Sequence, residues 1–74
     1  MKLDTLLTLN DVMRPHFQDI PAFRQYEVWA VFDVDEGGHI CIVPCHKDGS
    51  SCSIGQMVKY MTWTHPGYFE EVEL

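Results

Sequence analysis

Hydrophobic and polar residues alternate most clearly in the middle of the chain, over residues 26–34. The even positions there are all apolar, whereas the odd positions mix acidic and apolar residues. Alternation with a period of two is typical of a half-buried β-strand. The pattern therefore predicts a strand whose even positions face the core. These positions are Tyr26, Val28, Ala30, Phe32 and Val34.

A second apolar run, residues 39–45, follows after a glycine turn. A three-residue loop of Glu36, Gly37 and Gly38 keeps the even positions of both strands on one face, since Gly38 can adopt the left-handed conformation that this loop needs. The two runs therefore predict a β-hairpin over residues 25–45, on which the rest of the chain packs. The predicted pairs are Val34 with Ile40, Phe32 with Ile42, and Ala30 with Pro44.

The N-terminal segment has leucine, valine and methionine at three- and four-residue spacing as far as Met13. This spacing predicts a helix that ends near Arg14, because Pro15 cannot continue it. A strand over residues 5–9 is the alternative, since mixtures of leucine and threonine suit either state. Pro15 is expected to open a second, short helical turn over residues 16–20, which Pro21 closes.

A further helix is predicted over residues 54–64. Ser53 lies three residues before Gln56, which is the spacing of a capping box, and the helix ends before Pro66. The tail, residues 68–74, alternates again and predicts a third strand. The core stripe predicted for the helix consists of Ile54, Met57, Val58 and Met61.

These elements predict one small α+β domain over residues 1–74. It has an N-terminal helical segment, a β-hairpin, a helix and a C-terminal strand on a three-stranded, largely antiparallel sheet. A chain of 74 residues is close to the size at which burial barely exceeds the chain entropy lost on folding. Its hydrophobic content of 46% nevertheless favours a folded chain over a disordered one.

No apolar run approaches the roughly 18 residues that span a bilayer. The first residues meet Asp4 and Asn10 too early for the apolar part of a secretory signal. Three cysteines are an odd number and too few for a disulfide scaffold, which agrees with a reducing compartment. We therefore expect a cytoplasmic protein that does not bind membranes.

Cysteine and histidine gather around the polar loop after the hairpin. Cys45, His46 and Cys52 are candidate zinc ligands, although their spacing fits no common zinc pattern, and Cys45 with Cys52 is a candidate disulfide. Cys45 and His46 do not form a catalytic pair, because neighbouring side chains on a strand point to opposite faces. We expect no enzyme, no cofactor and no metal, with a small Cys/His metal-binding module as the alternative.

The formal net charge is −6, from eleven acidic and five basic residues. The basic residues are scattered, so direct binding of nucleic acid is not expected. The acidic residues concentrate in the hairpin and the tail, and they form one anionic surface if the tail pairs alongside the hairpin. Acidic residues two apart on a strand are about 6.6 Å apart, comparable with successive phosphates, so this surface fits a basic groove built for DNA or RNA. Solubility alone is the alternative role. The predicted partner-binding acids are Glu27, Asp33, Asp35, Glu36, Glu70, Glu71 and Glu73.

Two aromatic residues complete the predicted binding surface. Tyr60 and Trp63 lie on the side of the predicted helix opposite its core stripe. Tyrosine and tryptophan dominate the energetics of protein interfaces, so an exposed pair is a candidate hot spot. The alternative is that a neighbouring element covers both rings.

By size and charge the chain is similar to the small inhibitors that phages and mobile elements direct at host defence systems, anti-CRISPR proteins among them. No particular residue carries this likeness. It implies a stand-alone interaction protein that inhibits or modulates a nucleic-acid-handling protein, in the host cytoplasm if the chain is phage-encoded. A winged-helix-like DNA-binding protein, with the hairpin as its wing, is a further alternative that the negative charge disfavours.

Overall fold

The structure, a computed structural model, describes residues 1–73. Its helices and strands confirm the α+β class. In chain order the elements are strand β1 (Leu6–Leu9), helices α1 (Arg14–Phe17) and α2 (Pro21–Gln25), strands β2 (Val28–Val34) and β3 (Ile40–Cys45), helix α3 (Ile54–Tyr60), strand β4 (Thr62–Thr64), a 3-10 helix (Pro66–Tyr68) and strand β5 (Phe69–Glu71).

All five strands belong to one sheet in the order β4-β3-β2-β1-β5, and every neighbouring pair is antiparallel. The sheet thus has five strands where three were predicted, because β1 and β4 lie in segments predicted as helix. The tail strand β5 pairs with β1 and not with the hairpin, with Leu7 opposite Glu71. Leu74, the last residue of the predicted tail strand, lies outside the described residues.

Strand β1 matches the alternative interpretation of the N-terminal segment, a strand over residues 5–9. Leu7 and Leu9 are buried, while the alternate residues Leu6 and Thr8 are half-buried. Asp4 just before the strand has a positive φ of 67°, which a helix does not permit. A strand is stable here because it gains ladder partners on both sides, β2 and β5, and a helix would forgo both.

Pro15 and Pro21, which lie between β1 and β2, both start helices. Pro15 lies in the first turn of α1, near the predicted position, and Pro21 lies in the first turn of α2. The prediction that Pro21 closes a helix is therefore wrong; it opens the next one, since proline suits the first helical turn. The helices bring Phe17 and Phe23 together edge to face, with 5.1 Å between the ring centroids.

A β-bulge interrupts the hairpin. Gly38 has the expected positive φ of 85°, and Val34 pairs with Ile40 as predicted. The register then shifts between Val31 and Asp33, which leaves Phe32 as the extra residue of the bulge. The predicted pairs further from the turn are accordingly displaced. The observed pairs are Val31 with Ile42, Ala30 with Val43, and Trp29 with Pro44.

The bulge reverses the face of β2 that is buried. Trp29 and Val31 have no exposed surface, whereas Phe32 is 53% exposed and Val34 is 37% exposed. The prediction that the even positions of this strand form the core is therefore wrong for Phe32. Val34 shares the face of its core partner Ile40 and is exposed because it ends the strand. One extra residue moves every side chain on one side of it to the opposite face.

The main hydrophobic cluster lies on one face of the sheet, under α1 and α2, and strand β3 is buried on both faces. Phe23 of α2 packs on Trp29, with 4.7 Å between the ring centroids. The indole N–H of Trp29 donates a hydrogen bond to the backbone C=O of Tyr26 at 3.1 Å, so this buried polar group is satisfied. The buried cluster consists of Leu7, Leu9, Trp29, Val31, Ile40, Ile42 and Phe69.

Helix α3 begins as predicted and ends earlier. The Ser53 hydroxyl oxygen accepts a hydrogen bond from the Gln56 N–H at 3.4 Å, which confirms the N-cap. The predicted core stripe is mostly exposed, with Ile54 at 79% and Val58 at 65%. Tyr60 is directed inward instead, because a packed aromatic ring buries more apolar area than these aliphatic side chains.

Deletion of Phe32 should be tolerated, since Val31 and Asp33 would then follow each other in an uninterrupted register with β3. We expect thermal unfolding, followed by circular dichroism, to shift by less than about 8 °C, or roughly 1 kcal/mol. Deletion of Val43 from β3 is the matched control, because the bulge in β2 cannot absorb it and the buried Pro44 and Cys45 both change face, which should prevent folding. Equal damage from both deletions would show that Phe32 is not the extra residue.

Candidate protein-interaction surfaces

The structure separates the predicted acidic residues into three groups. Glu27 precedes β2, at the end of the hairpin away from the turn, and lines a cavity of about 160 Å³ together with Arg14 and Arg24. The second group, at the turn, is called the hairpin tip and consists of Asp33, Asp35 and Glu36. The third group, called the acidic tail, consists of Glu70, Glu71 and Glu73. Strand β1 lies between the tail strand and the hairpin, which places them two strand spacings apart, about 10 Å. The tail therefore does not pair alongside the hairpin, which was the condition for one anionic surface.

The hairpin tip holds two of its three carboxylates in fixed positions. Asp33 Oδ1 accepts a hydrogen bond from the Val34 N–H, and Asp35 Oδ1 accepts one from the His39 N–H, both at 2.8 Å. Asp35 Oδ2 also lies 3.3 Å from His39 Nδ1. This side-chain contact is exposed and adds little stability, but the backbone hydrogen bonds hold the two carboxylates in place.

The acidic tail follows one edge of the sheet. Glu70 pairs with Thr8 and Glu71 with Leu7, and both glutamates are exposed. Within residues 1–73 the side chains of Glu70, Glu71 and Glu73 make no ion pair. Charged residues on an edge strand oppose pairing with another chain, so they protect this edge.

Tyr60 and Trp63 lie in different elements and different environments. Tyr60 is half-buried, and the centroid of its ring lies 5.6 Å from that of Tyr26. Its hydroxyl donates a hydrogen bond to Gln25 Oε1 at 3.2 Å. Trp63 belongs to β4, opposite Cys41, and is 51% exposed. Of the two aromatics, Trp63 is the one that presents a large apolar surface to a partner.

Several exposed apolar side chains were missed because they were assigned to the core. Phe32 projects from the bulge of β2, and Ile54 and Val58 form the outer side of α3. The sequence of β2 did contain a signal that its odd positions could be buried, since Trp29 and Val31 at odd positions are apolar.

A groove of about 300 Å³ lies between the α1–α2 segment and β4. The sequence gives no hint of it, because its two walls are about forty residues apart in the chain and meet only in the fold. No charged side chain lines it. The lining residues are Phe17, Ile20, Ala22, Phe23, Tyr60, Thr62, Trp63 and Thr64.

The candidate metal residues are only partly brought together. Cys45 pairs with Ser51, which places it next to Cys52, and both cysteines are buried free thiols, whereas His46 is exposed. Burial raises the pKa of the Cys45 thiol, and the neighbouring Cys52 raises it further. In the part of the chain that the structure describes, no three His, Cys, Asp or Glu side chains are grouped as metal ligands would be.

The thiols of Cys41 and Cys45 should react slowly with a water-soluble disulfide reagent at neutral pH. Burial raises the pKa of both thiols, and Asp33 raises that of Cys41 further, so little reactive thiolate is accessible. We expect labelling, followed by mass spectrometry, to be about a hundredfold slower than in denaturant. Labelling at the same rate in both conditions would contradict the burial.

The raised pKa values of these two thiols predict that the protein is less stable at alkaline pH than at neutral pH. A raised pKa means that the folded state holds the proton more tightly than the unfolded state does. The contribution of these thiols to the free energy of unfolding is therefore complete below the pKa of the unfolded state, about 8.5. It is lost as the pH rises through the pKa of the folded state. Urea unfolding at pH 7 and pH 10 measures this loss, and replacing both cysteines by alanine should reduce it.

Comparison with protein-family models, with curated proteins and with solved structures finds no match for this chain. Across residues 1–73 every helix is too short or too polar to cross a membrane.

Proposed function

We propose that this protein is a stand-alone interaction protein that inhibits or modulates a nucleic-acid-handling partner, as the anti-defence proteins of phages and mobile elements do. The hairpin tip is the observation that carries this proposal. Its three exposed carboxylates lie within four residues, and hydrogen bonds from backbone N–H groups hold two of them. Carboxylates that are already held in position lose little side-chain entropy when they take the place of nucleic-acid phosphates in a basic groove.

The charge balance of the whole chain supports a cationic partner. The chain has eleven acidic and five basic residues; among the described residues Asp11 forms an ion pair with Arg14, and Asp35 lies next to His39. The remaining carboxylates are left without a paired cation there. A field of this sign steers the protein towards positively charged surfaces and raises the rate of association.

The three acidic groups are not equivalent in this proposal. The hairpin tip makes the main contact, because its carboxylates are oriented and exposed. The acidic tail extends the negative field from the far edge of the sheet. Glu27 contributes least, since Arg14 and Arg24 line the same cavity and offset its charge.

Binding, and not catalysis, is the proposed activity. The groove is lined by apolar, tyrosine and threonine side chains, with no carboxylate, imidazole or amine among them. General acid–base catalysis needs such a group within hydrogen-bond reach of the substrate. The lining favours an apolar segment of a protein as the occupant.

Capture of the partner on the immobilised protein tests the proposal. A bacterial lysate is applied at low salt, and bound proteins are eluted with a salt gradient and identified by mass spectrometry. We expect a nucleic-acid-binding protein that elutes as ionic strength rises and that duplex DNA displaces. A partner that resists both salt and DNA would contradict mimicry of nucleic acid.

A further inference from the structure

The two edge strands of the sheet differ in how they are protected. Strands β4 and β5 are both edges. Strand β5 carries Glu70 and Glu71, whereas β4 consists of Thr62, Trp63 and Thr64 and carries no charge. Because charged side chains are a common protection against pairing with another chain, β4 is the edge left open to an added strand.

Backbone hydrogen-bonding groups are available on the open side of β4. The His39 C=O accepts a hydrogen bond from Asp35 at the end of β2, so the polar groups of Ile40 and Ile42 face the other way, towards β4. They pair with the threonines of β4, and the N–H and C=O of Trp63 therefore point outward. Outside the sheet ladder, no backbone hydrogen bond among the described residues involves Trp63.

The groove lies beside this open edge, on the core side of the sheet. Phe17, Ala22 and Phe23 pack against the core cluster and line the groove together with β4. A strand added along β4 directs every second side chain to that side. The edge thus supplies main-chain hydrogen bonds and the groove supplies a side-chain pocket, which are the two parts of a strand-addition site.

We propose that the open edge of β4 and its groove bind an extended segment of another protein as a sixth strand. The segment places a large aliphatic side chain in the groove, which has a volume of about 300 Å³ and no charged lining. It carries lysine or arginine and not acidic residues, because the chain has a net charge of −6 and Asp33 lies in the same cross-strand row as Cys41 and Trp63. This inference goes beyond the proposed function, since it requires no nucleic-acid-handling partner.

A second copy of the chain fits this edge less well than a foreign segment does. Antiparallel pairing of two β4 strands about Trp63 would place Thr62 and Thr64 of the other copy on the groove side. Threonine fills less of a groove of about 300 Å³ than leucine, isoleucine or methionine does. Two chains with a net charge of −6 each also repel one another.

A phage-displayed library of linear twelve-residue peptides, panned on the full chain, tests the proposal. We expect enriched peptides with a leucine, isoleucine or methionine in an alternating sequence that contains lysine or arginine. Synthetic copies are then titrated by calorimetry against Trp63→Pro, which removes the outward N–H, and Trp63→Val, which keeps it. The proline variant should bind at least about tenfold more weakly than the valine variant.

Two further variants separate the edge from the groove. Glu71→Pro is the matched control on the other edge, where the Val72 N–H bonds to Leu6 and Glu71 therefore faces outward; it should bind as the unmodified chain does. Ala22→Leu narrows the groove and should weaken binding about tenfold with the circular dichroism spectrum unchanged. The proposal would be overturned if no peptide is enriched, or if the enriched peptides are acidic. Equal binding by the two Trp63 variants, or a dimer that Trp63→Pro dissociates, would overturn it as well.

Discussion

Trp29→Ala is expected to remove most of the protein's stability at room temperature. Its side chain is fully buried, packs on Phe23 and Tyr26, and satisfies its own N–H. Truncation of a buried tryptophan costs about 3–5 kcal/mol, and small domains have a total stability of roughly 5 kcal/mol or a little more. Urea unfolding followed by circular dichroism measures the loss.

Phe32→Ala is the matched aromatic control in the same strand. Phe32 is 53% exposed, so its truncation removes little buried area and should cost less than about 1 kcal/mol. The comparison separates the observed strand face from the one predicted by alternation. Should Phe32→Ala prove as damaging as Trp29→Ala, the even positions would be core after all and the bulge would be misplaced.

Features set by a few neighbouring residues were predictable from the sequence. The glycine turn fixed the pair Val34–Ile40, and the Ser53 cap fixed the start of α3. Both depend on local geometry, namely a positive φ that glycine adopts at low cost and a hydroxyl within reach of a free N–H. Such signals need no knowledge of the rest of the fold.

Features that depend on partners distant in sequence were not predictable in the same way. Residues 6–9 form a strand because β2 and β5 lie on either side, although their leucine spacing suits a helix equally well. Thr62–Thr64 likewise pairs with β3, and this contact ends α3 four residues earlier than predicted. Tertiary pairing overrides a weak local preference in both segments.

The bulge in β2 shows why the buried face of an apolar strand is hard to assign. Trp29 and Val31 at odd positions are as apolar as Val28 and Phe32 at even ones. Alternation therefore could not decide between the faces, and a single inserted residue changed the outcome. The same ambiguity turned Phe32 from an expected core residue into an exposed aromatic.

The candidate site was predictable in its charges and not in its geometry. Sequence places acidic residues in the hairpin and the tail, but the insertion of β1 between them separates the two groups. The groove beside β4 was invisible, because Phe17 and Thr62 approach only when the sheet and the short helices pack. Residue type thus led to the hypothesis of a cationic partner, whereas the groove that we propose as a docking site follows from the fold alone.

Charge reversal at the hairpin tip should weaken binding to the captured partner by at least about tenfold, mainly through slower association. Asp33→Lys with Glu36→Lys is the variant of choice, because Asp35 accepts the His39 N–H and has a structural role in the turn. Surface plasmon resonance at two salt concentrations measures the rates. The difference from the unmodified chain should shrink at high salt, where exposed charges are screened.

A variant with the same net charge decides whether position matters. Asp11→Lys with Asp19→Lys changes two exposed acids in the region of the α1 and α2 helices, away from the hairpin tip. If the tip is the binding surface, this control should bind within about threefold of the unmodified chain. Equal weakening by both variants would mean that overall charge alone steers the protein. Unchanged binding by both, with loss of binding on Trp63→Pro, would assign the partner to the open edge of β4 and leave the acids a role in solubility alone.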